Sequence, residues 1–147
     1  MVLFAVYSRV EETAFLSLQI LNELICFKQK AVFMSYTELD HLKDKDPEVV
    51  KTYHKLISRL NDFGNLKIEP KKTSIHLGNR FGFAGVYMRK NYINLEVHLN
   101  YKLKSPRVSK AEQASANRYH HTIRLDSQKD IDKELLTWLR EAYILKA

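Results

Sequence analysis

The sequence predicts an α+β fold, with an antiparallel β-sheet that carries an N-terminal and a C-terminal helix on one of its faces. Two segments, which begin near Asp46 and Ser127, place apolar residues at the spacing of one helix face. Between them, apolar residues alternate with polar ones, as in strands that bury one face. The connections between these strands are only a few residues long, so neighbouring strands must run antiparallel.

The first helix is predicted to begin at Pro47 and to stop before Gly64. Asp46 is a candidate N-cap, proline is favoured at the first helical position, and the acidic Glu48 suits the positive end of the helix dipole. The apolar face of this helix consists of Val49, Tyr53, Leu56, Ile57 and Leu60.

The segment from Lys72 to Leu99 alternates as a series of strands does. Turns are predicted at Gly78-Asn79 and at Arg89-Lys90-Asn91, where polar residues interrupt the alternation. The inward positions of these strands are Thr73, Ile75, Leu77, Phe81, Phe83, Ile93, Leu95, Val97 and Leu99.

The segment from Lys102 to Asn117 lacks any hydrophobic period, and with Pro106 it predicts a mobile loop with at most one helical turn. A further strand follows from Arg118 to Leu125. Ser127 and Asp130 have the spacing of a capping box, which predicts the start of the last helix. That helix would bury Ile131, Leu135, Trp138, Leu139 and Ala142.

The composition indicates a globular, intracellular protein. Its 147 residues suffice for one domain of ordinary size, and 45% hydrophobic with 28% charged residues argue against disorder. Cys26 is the single cysteine, which excludes an intrachain disulfide and a cysteine-based zinc cluster. Polar residues interrupt the apolar stretch from Phe15 to Phe27 well before the ~20 residues of a membrane span, and no signal-peptide pattern precedes it. We expect a cytoplasmic protein without a membrane partner.

The net charge of +7 is concentrated in the predicted sheet. The segment between Leu66 and Leu125 contains twelve Lys and Arg residues and only three Glu residues, so its net charge is +9. The rest of the chain has a net charge of −2. Such a concentration is typical of a surface that binds phosphate groups or another polyanion. The alternative is that these charges only keep exposed strands and loops soluble.

The alternation of side chains also predicts which residues form the outer face of the sheet, away from the helices. An antiparallel sheet with both helices on one side leaves this face open to a ligand, or simply to solvent. Tyr87 and Tyr92 beside Arg89 and Lys90 suit either base stacking or coverage of the sheet edge. The predicted outer residues are Lys72, Ser74, His76, Asn94, Glu96, His98, Arg118, His120, Thr122 and Arg124. The residues predicted to bind nucleic acid or another phosphate-bearing ligand are Lys72, His76, Arg80, Arg89, Lys90, Lys110, Asn117, Arg118, His120, His121 and Arg124.

From Met34 onwards the chain resembles the bacterial family called domain of unknown function 5655. The stretches that carry the resemblance are Glu69–His76, Phe83–Val86 with Arg89-Lys90, Ser109–His121 and Glu134–Tyr143. The resemblance implies a small α+β domain, sometimes appended to larger proteins that include nuclease-like ones. It implies no established activity, substrate or catalytic residue.

No catalytic residue, metal ligand or cofactor is assigned from the sequence. The basic segment has too few carboxylates for a metal-dependent nuclease. Its histidines His76, His98 and His120 could share a face with Glu96, and imidazole suits transition metals, but no short ligand motif supports a site. Cys26 lies in an apolar helical pattern, which indicates an inert core thiol.

We therefore expect a non-catalytic binding module whose basic sheet face engages nucleic acid or another phosphate-bearing ligand. Two alternatives stay open. One is a small enzyme that acts on an anionic metabolite in a pocket formed by Lys72, Arg118 and His121. The other is a protein-interaction module attached to a larger system.

The first 33 residues are neutral and apolar beside a basic domain, with three cations and three anions. We expect them to be a dispensable extension of the single domain at 34–147. Two interpretations are open: a docking helix around Thr13–Phe27 that supports a homodimer, or the product of a start codon upstream of Met34. A helix of that length is marginal by itself and must pack on something to persist.

Overall fold

The computed structural model describes residues 35–146. This part of the chain contains six strands, which form one antiparallel sheet in the spatial order β1-β2-β3-β4-β6-β5. The predictions for residues 1–33 lie outside the described residues. The helices are α1 (Glu38–Leu42), α2 (Pro47–Asn61) and α3 (Lys133–Leu145), with a 3-10 turn at Gln128–Asp130. The strands are β1 (Lys67–Pro70), β2 (Ile75–Gly78), β3 (Gly82–Met88), β4 (Ile93–Leu99), β5 (Val108–Ser115) and β6 (Arg118–Leu125).

The inner face of the sheet and the apolar faces of α2 and α3 form one hydrophobic core. Leu56 on α2, Leu95 on β4 and Leu139 on α3 are all fully buried in it. Trp138 is also buried, as predicted. The predicted fold class is therefore confirmed. No helix within residues 35–146 is long and apolar enough to cross a bilayer.

Helix α2 begins at Pro47 and ends at Asn61, close to its predicted bounds. The prediction for Asp46 is only partly confirmed: its backbone is extended, but its side chain makes no capping hydrogen bond. Its backbone N–H instead donates to Lys90 O at 2.9 Å, which ties the start of α2 to the β3–β4 turn. Gly64 has φ +133°, and a Cβ there would lie 2.8 Å from the Tyr143 hydroxyl oxygen. The positive φ therefore favours glycine here, and a larger residue would also displace the Tyr143 hydroxyl at the end of its side chain.

The prediction of a mobile loop from Lys102 to Asn117 is wrong for half of its length. Residues 108–115 form the edge strand β5, which pairs along β6. Nearly all its side chains are exposed on both faces of the sheet. Because neither face is buried, its sequence shows no hydrophobic alternation by which a strand could be recognised.

Arg107 anchors the start of β5 to the C-terminal segment. Its Nη1 donates to both carboxylate oxygens of Asp132 at 2.8 and 2.9 Å, and lies 3.3 Å from Glu134 Oε2. Its Nη2 donates to Asp130 O at 2.7 Å, and the guanidinium lies over the Trp138 ring. One side chain thus joins an edge strand to the core helix.

We expect Arg107→Ala to lower the free energy of unfolding by about 1–2 kcal/mol, because several charge-assisted hydrogen bonds are lost while the half-exposed carboxylates limit the effect. Urea unfolding measures the change. Lys104→Ala, an exposed substitution in the same segment, is the control and should stay within about 0.5 kcal/mol of wild type. An equal effect of the two substitutions would contradict the anchoring role.

The last helix begins later than the capping-box spacing indicated. Asp130 Oδ2 does accept the backbone N–H groups of Asp126 and Ser127, but these bonds close the 3-10 turn. Helix α3 starts at Lys133, where the Asp132 side chain accepts the N–H of Leu135 at 3.0 Å. The same carboxylate therefore caps α3 and binds Arg107.

Candidate functional site

The outer face of the sheet, on the side opposite α2 and α3, carries polar side chains in rows set by the strand register. Glu96 on β4 lies opposite Gly85 on β3 and Thr122 on β6. His98 lies opposite His120 in the next row. Because side chains two residues apart on a strand point the same way, Glu96 and His98 share this face. The alternation predicted for β4 and β6 is confirmed by their burial patterns.

A cluster of Glu96, His98 and His120, called here the Glu-His-His cluster, lies on this face. His98 Nε2–H donates to Glu96 Oε1 at 2.8 Å, and His120 Nδ1 lies 3.2 Å from the same oxygen. The two imidazole rings are stacked, with centroids 4.0 Å apart and planes 17° from parallel. The side chains are 23%, 17% and 29% exposed in that order, so solvent reaches the cluster from one side.

The electrostatics of the cluster follow from these contacts. The hydrogen bond from His98 is the main factor that lowers the pKa of Glu96, and His120 and His76 lower it further. Burial lowers the pKa of His120, and the neighbouring His98 adds to this effect. Near neutral pH the cluster thus presents a carboxylate beside neutral imidazole at His120.

Two further features describe the cluster and its immediate surroundings. In the described part of the chain, Nε2 of His120 is the buried side-chain nitrogen or oxygen that has no hydrogen-bond partner. Gly85 is buried beside Glu96, where a Cβ would lie 3.4 Å from Tyr87 Cε2 and 3.9 Å from Glu96 Cβ. Across Gly85, the register brings His76 into the same row as Glu96.

Four of the predicted phosphate-binding residues lie at one end of the sheet. Lys72 belongs to the β1–β2 connection, Arg89 and Lys90 to the β3–β4 connection, and Arg124 to the end of β6. The antiparallel register brings these three segments to the same end. All four side chains are exposed. We call this group the basic end.

Arg124 has defined partners at the basic end. Its guanidinium lies 4.0 Å from the centroid of the Tyr92 ring, and its Nε donates to Asp126 Oδ1 at 2.8 Å. The cation that contacts the Tyr92 ring is therefore Arg124, and not Arg89 or Lys90, the cations beside which the sequence analysis placed it. Tyr87, the other predicted tyrosine, is half-buried. Ser74 was predicted to lie on the solvated outer face but is buried.

Two further predicted residues lie towards the opposite end of the sheet. His76 and Arg80 line a small cavity of about 170 Å³ together with Glu69 and Phe81. Phe81, predicted as an inward strand residue, is 62% exposed in the β2–β3 turn because β3 begins one residue later.

Asn117 and Arg118 lie in and beside the β5–β6 turn. With His98, they line a separate cavity of about 160 Å³. The predicted binding residues are thus divided between the two ends and the centre of the outer face.

Lys110 and His121 differ from the other predicted residues. Lys110 lies on the outer face but is paired with Glu112 at 2.6 Å. His121 points into the core and is fully buried, since it alternates with His120 along β6. Its Nε2 accepts the N–H of Leu103 at 2.9 Å, and its Nδ1 lies 3.3 Å from Val97 O. Both nitrogens are therefore engaged, and His121 is unavailable to a ligand on the outer face.

The pocket of Lys72, Arg118 and His121, which the enzyme alternative requires, is not assembled. Lys72 lies at the basic end, Arg118 at the opposite end of a different strand, and His121 in the core. Sequence reasoning placed Glu96, His98 and His120 on one face but assigned no site there, because the register between β4 and β6 was not known. The E-x-H spacing on one strand was the available signal.

Comparison with known proteins gives one family. Its family model, described as Domain of unknown function (DUF5655), matches residues 38–146. No curated protein and no solved structure matches the chain. The match covers nearly all the described residues and agrees with the resemblance carried by Glu69–His76 and Ser109–His121. The chain therefore belongs to the DUF5655 family.

Proposed function

We propose that this chain is a non-catalytic binding module whose outer sheet face and basic end hold nucleic acid. The observation that supports this most directly is the state of Lys72, Arg89 and Lys90. These side chains are exposed, and none forms an ion pair with the residues that the structure describes. Cations that have no internal anion remain free to neutralise phosphate groups, and this releases counterions from the nucleic acid.

The rigidity of the basic end supports the proposal further. The β3–β4 turn is held by a bond from Arg89 N–H to Tyr92 O at 2.9 Å, and the start of α2 donates to Lys90 O. His41 Nε2 lies 2.7 Å from Lys71 O in the β1–β2 connection. Both cationic connections are therefore tied to the N-terminal helices by backbone carbonyls. A surface held in this way loses less conformational entropy when it binds.

The stacked pair of Arg124 and Tyr92 adds a contact suited to bases. Aromatic and guanidinium planes stack on nucleobases, and this contact does not depend on base identity. Tyr92 is half-buried and lies between the cationic turn and the outer face. We therefore expect single-stranded nucleic acid to bind with little sequence preference.

The double substitution Arg89→Glu with Lys90→Glu is expected to weaken binding of single-stranded oligonucleotides by about tenfold or more. Two phosphate contacts would be lost, so the slope of log K against log salt should become shallower by about 1.4, at roughly 0.7 for each contact with a single strand. Fluorescence anisotropy at several salt concentrations measures both quantities. Nucleotides in the same assay test for smaller phosphate-bearing ligands.

The matched control is Lys51→Glu with Lys133→Glu, which changes the net charge equally on exposed positions of α2 and α3. These helices pack on the other face of the sheet, so this pair should leave the salt slope unchanged. Equal losses in both double variants would contradict the assignment of the surface. If the wild-type chain fails to bind oligonucleotides even at low salt, the nucleic-acid proposal is wrong.

A further inference from the structure

We propose that Glu96, His98 and His120 form a binding site for a divalent transition-metal ion of the zinc type. The three side chains each offer one ligand atom, and these atoms lie within 4.8 Å of one another. The metal site does not depend on the proposed nucleic-acid function, since none of its three ligands belongs to the basic end on which that function is argued.

The strand geometry explains why the three ligands converge. Glu96 and His98 are two residues apart on β4 and so project from the same face. His120 lies directly opposite His98 on β6, and this pair stacks with parallel rings. Both strands are interior to the sheet and are paired on each side, so the backbone that carries the ligands is rigid. Ligands on such elements are held more precisely than ligands on loops.

The observed distances are close to those of a coordinated ion. Zinc binds nitrogen and oxygen at about 2.0–2.2 Å, so two ligand atoms of a tetrahedral site lie roughly 3.3–3.5 Å apart. Glu96 Oε1 lies 2.8 Å from His98 Nε2 and 3.2 Å from His120 Nδ1. The two distances to this oxygen need to change by only a few tenths of an ångström. The stacked rings of His98 and His120 must also turn towards each other, because nitrogen lone pairs lie in the ring planes and nearly parallel planes do not meet at one ion.

The two nitrogens of the His120 ring have different surroundings. Buried polar atoms are nearly always hydrogen-bonded, and an exception calls for an explanation such as an ion or a chemical role. Here one nitrogen of the ring faces the Glu96 carboxylate while the other is buried without a partner in the described part of the chain. A single ion can bind only one of these divergent nitrogens, and Nδ1 is the one that lies beside Glu96 Oε1.

The ligand types select the class of metal. Two imidazole nitrogens and one carboxylate oxygen suit zinc and other first-row transition ions, whereas calcium and magnesium prefer oxygen alone. Three protein ligands leave at least one position for water or another ligand, which is the arrangement of an open site.

Isothermal titration of Zn²⁺ into the metal-stripped full-length chain, after removal of any affinity tag, tests the site. We expect one equivalent to bind, and Co²⁺ should give the intense visible absorption of a low-coordinate site. Glu96→Gln, His98→Ala and His120→Ala should each weaken Zn²⁺ binding by more than about tenfold, since loss of even an outer-shell partner typically costs 10–100-fold.

Two controls separate this site from other effects. His54→Ala removes an exposed histidine on α2 and should leave the affinity unchanged. The Arg89→Glu with Lys90→Glu variant should also retain full Zn²⁺ binding, so failure of the nucleic-acid proposal does not affect this one. If the ligand variants fail to fold, nitrogen NMR of the wild-type protein tests the site instead. Zn²⁺ should then change the chemical shifts of the imidazole nitrogens of His98 and His120.

The competing interpretation is a hydrogen-bonded Glu-His-His cluster with no metal function. It predicts no Zn²⁺ binding up to a large excess, or imidazole shifts at histidines outside the cluster. Either result would overturn the proposal. Retained affinity in all three ligand variants would do so as well.

Discussion

Replacing Leu95 by alanine is expected to lower the free energy of unfolding by about 3 kcal/mol, within the range of about 2–5 kcal/mol for buried leucines. Leu95 is fully buried at the centre of β4, opposite Val86 on β3 and Ile123 on β6. The sheet is held on both sides there, so the backbone cannot collapse into the resulting cavity. Urea unfolding monitored by Trp138 fluorescence measures the change.

Asn94→Ala is the matched control for Leu95→Ala. Asn94 precedes Leu95 on the same strand but faces outward and is half-exposed. Its substitution should alter the free energy of unfolding by less than about 0.5 kcal/mol. A loss below about 1 kcal/mol for Leu95→Ala, or equal losses for both variants, would show that the core is not organised around β4.

Replacing His121 by leucine is expected to destabilise the fold by about 1–3 kcal/mol near pH 8 and to change its pH dependence. The substitution removes the acceptor of the Leu103 N–H and the donor to Val97 O, and leaves these backbone groups unsatisfied in a partly buried region. The hydrophobic gain from leucine offsets part of this cost. Denaturant unfolding at pH values from 8 to 5 gives both quantities.

The sign of the pH effect follows from the buried imidazole. Burial is the main factor that lowers the pKa of His121 in the folded state. The unfolded chain therefore binds more protons as the pH falls below about 6.5, and wild-type stability declines by up to about 1.4 kcal/mol per pH unit for this group. His121→Leu removes that contribution, so the difference between the two proteins should narrow towards pH 5.

The exposed substitution His54→Leu on α2 is the control for this pH series. It should change the free energy of unfolding by less than about 0.5 kcal/mol. Because burial also lowers the pKa of His120, the His121→Leu variant should keep part of the acid sensitivity. A difference between wild type and His121→Leu that is constant from pH 8 to pH 5 would mean that His121 does not titrate differently on folding.

The amino-acid sequence by itself determined those elements that bury one face. Apolar residues recur at a regular spacing in the sequences of α2, α3, β2, β3, β4 and β6. In β4, for example, they are Ile93, Leu95, Val97 and Leu99. This period arises because one side of each element faces the core, and it is visible without knowledge of the neighbours. The same reasoning predicted that Glu96, His98 and His120 face outward.

Only the tertiary structure decided which segment forms the edge strand beside β6 and which side chains contact each other across neighbouring strands. Strand β5 has both faces exposed, so its sequence has no period, and its place beside β6 depends on pairing alone. Strand β4 pairs with β6 and not with β5, the next strand along the chain. His98 therefore meets His120, and both meet Glu96, because of a register between distant segments that no local pattern records. Side-chain alternation is a local property, whereas the convergence of ligands requires the long-range strand order, and the sequence expresses only the first directly.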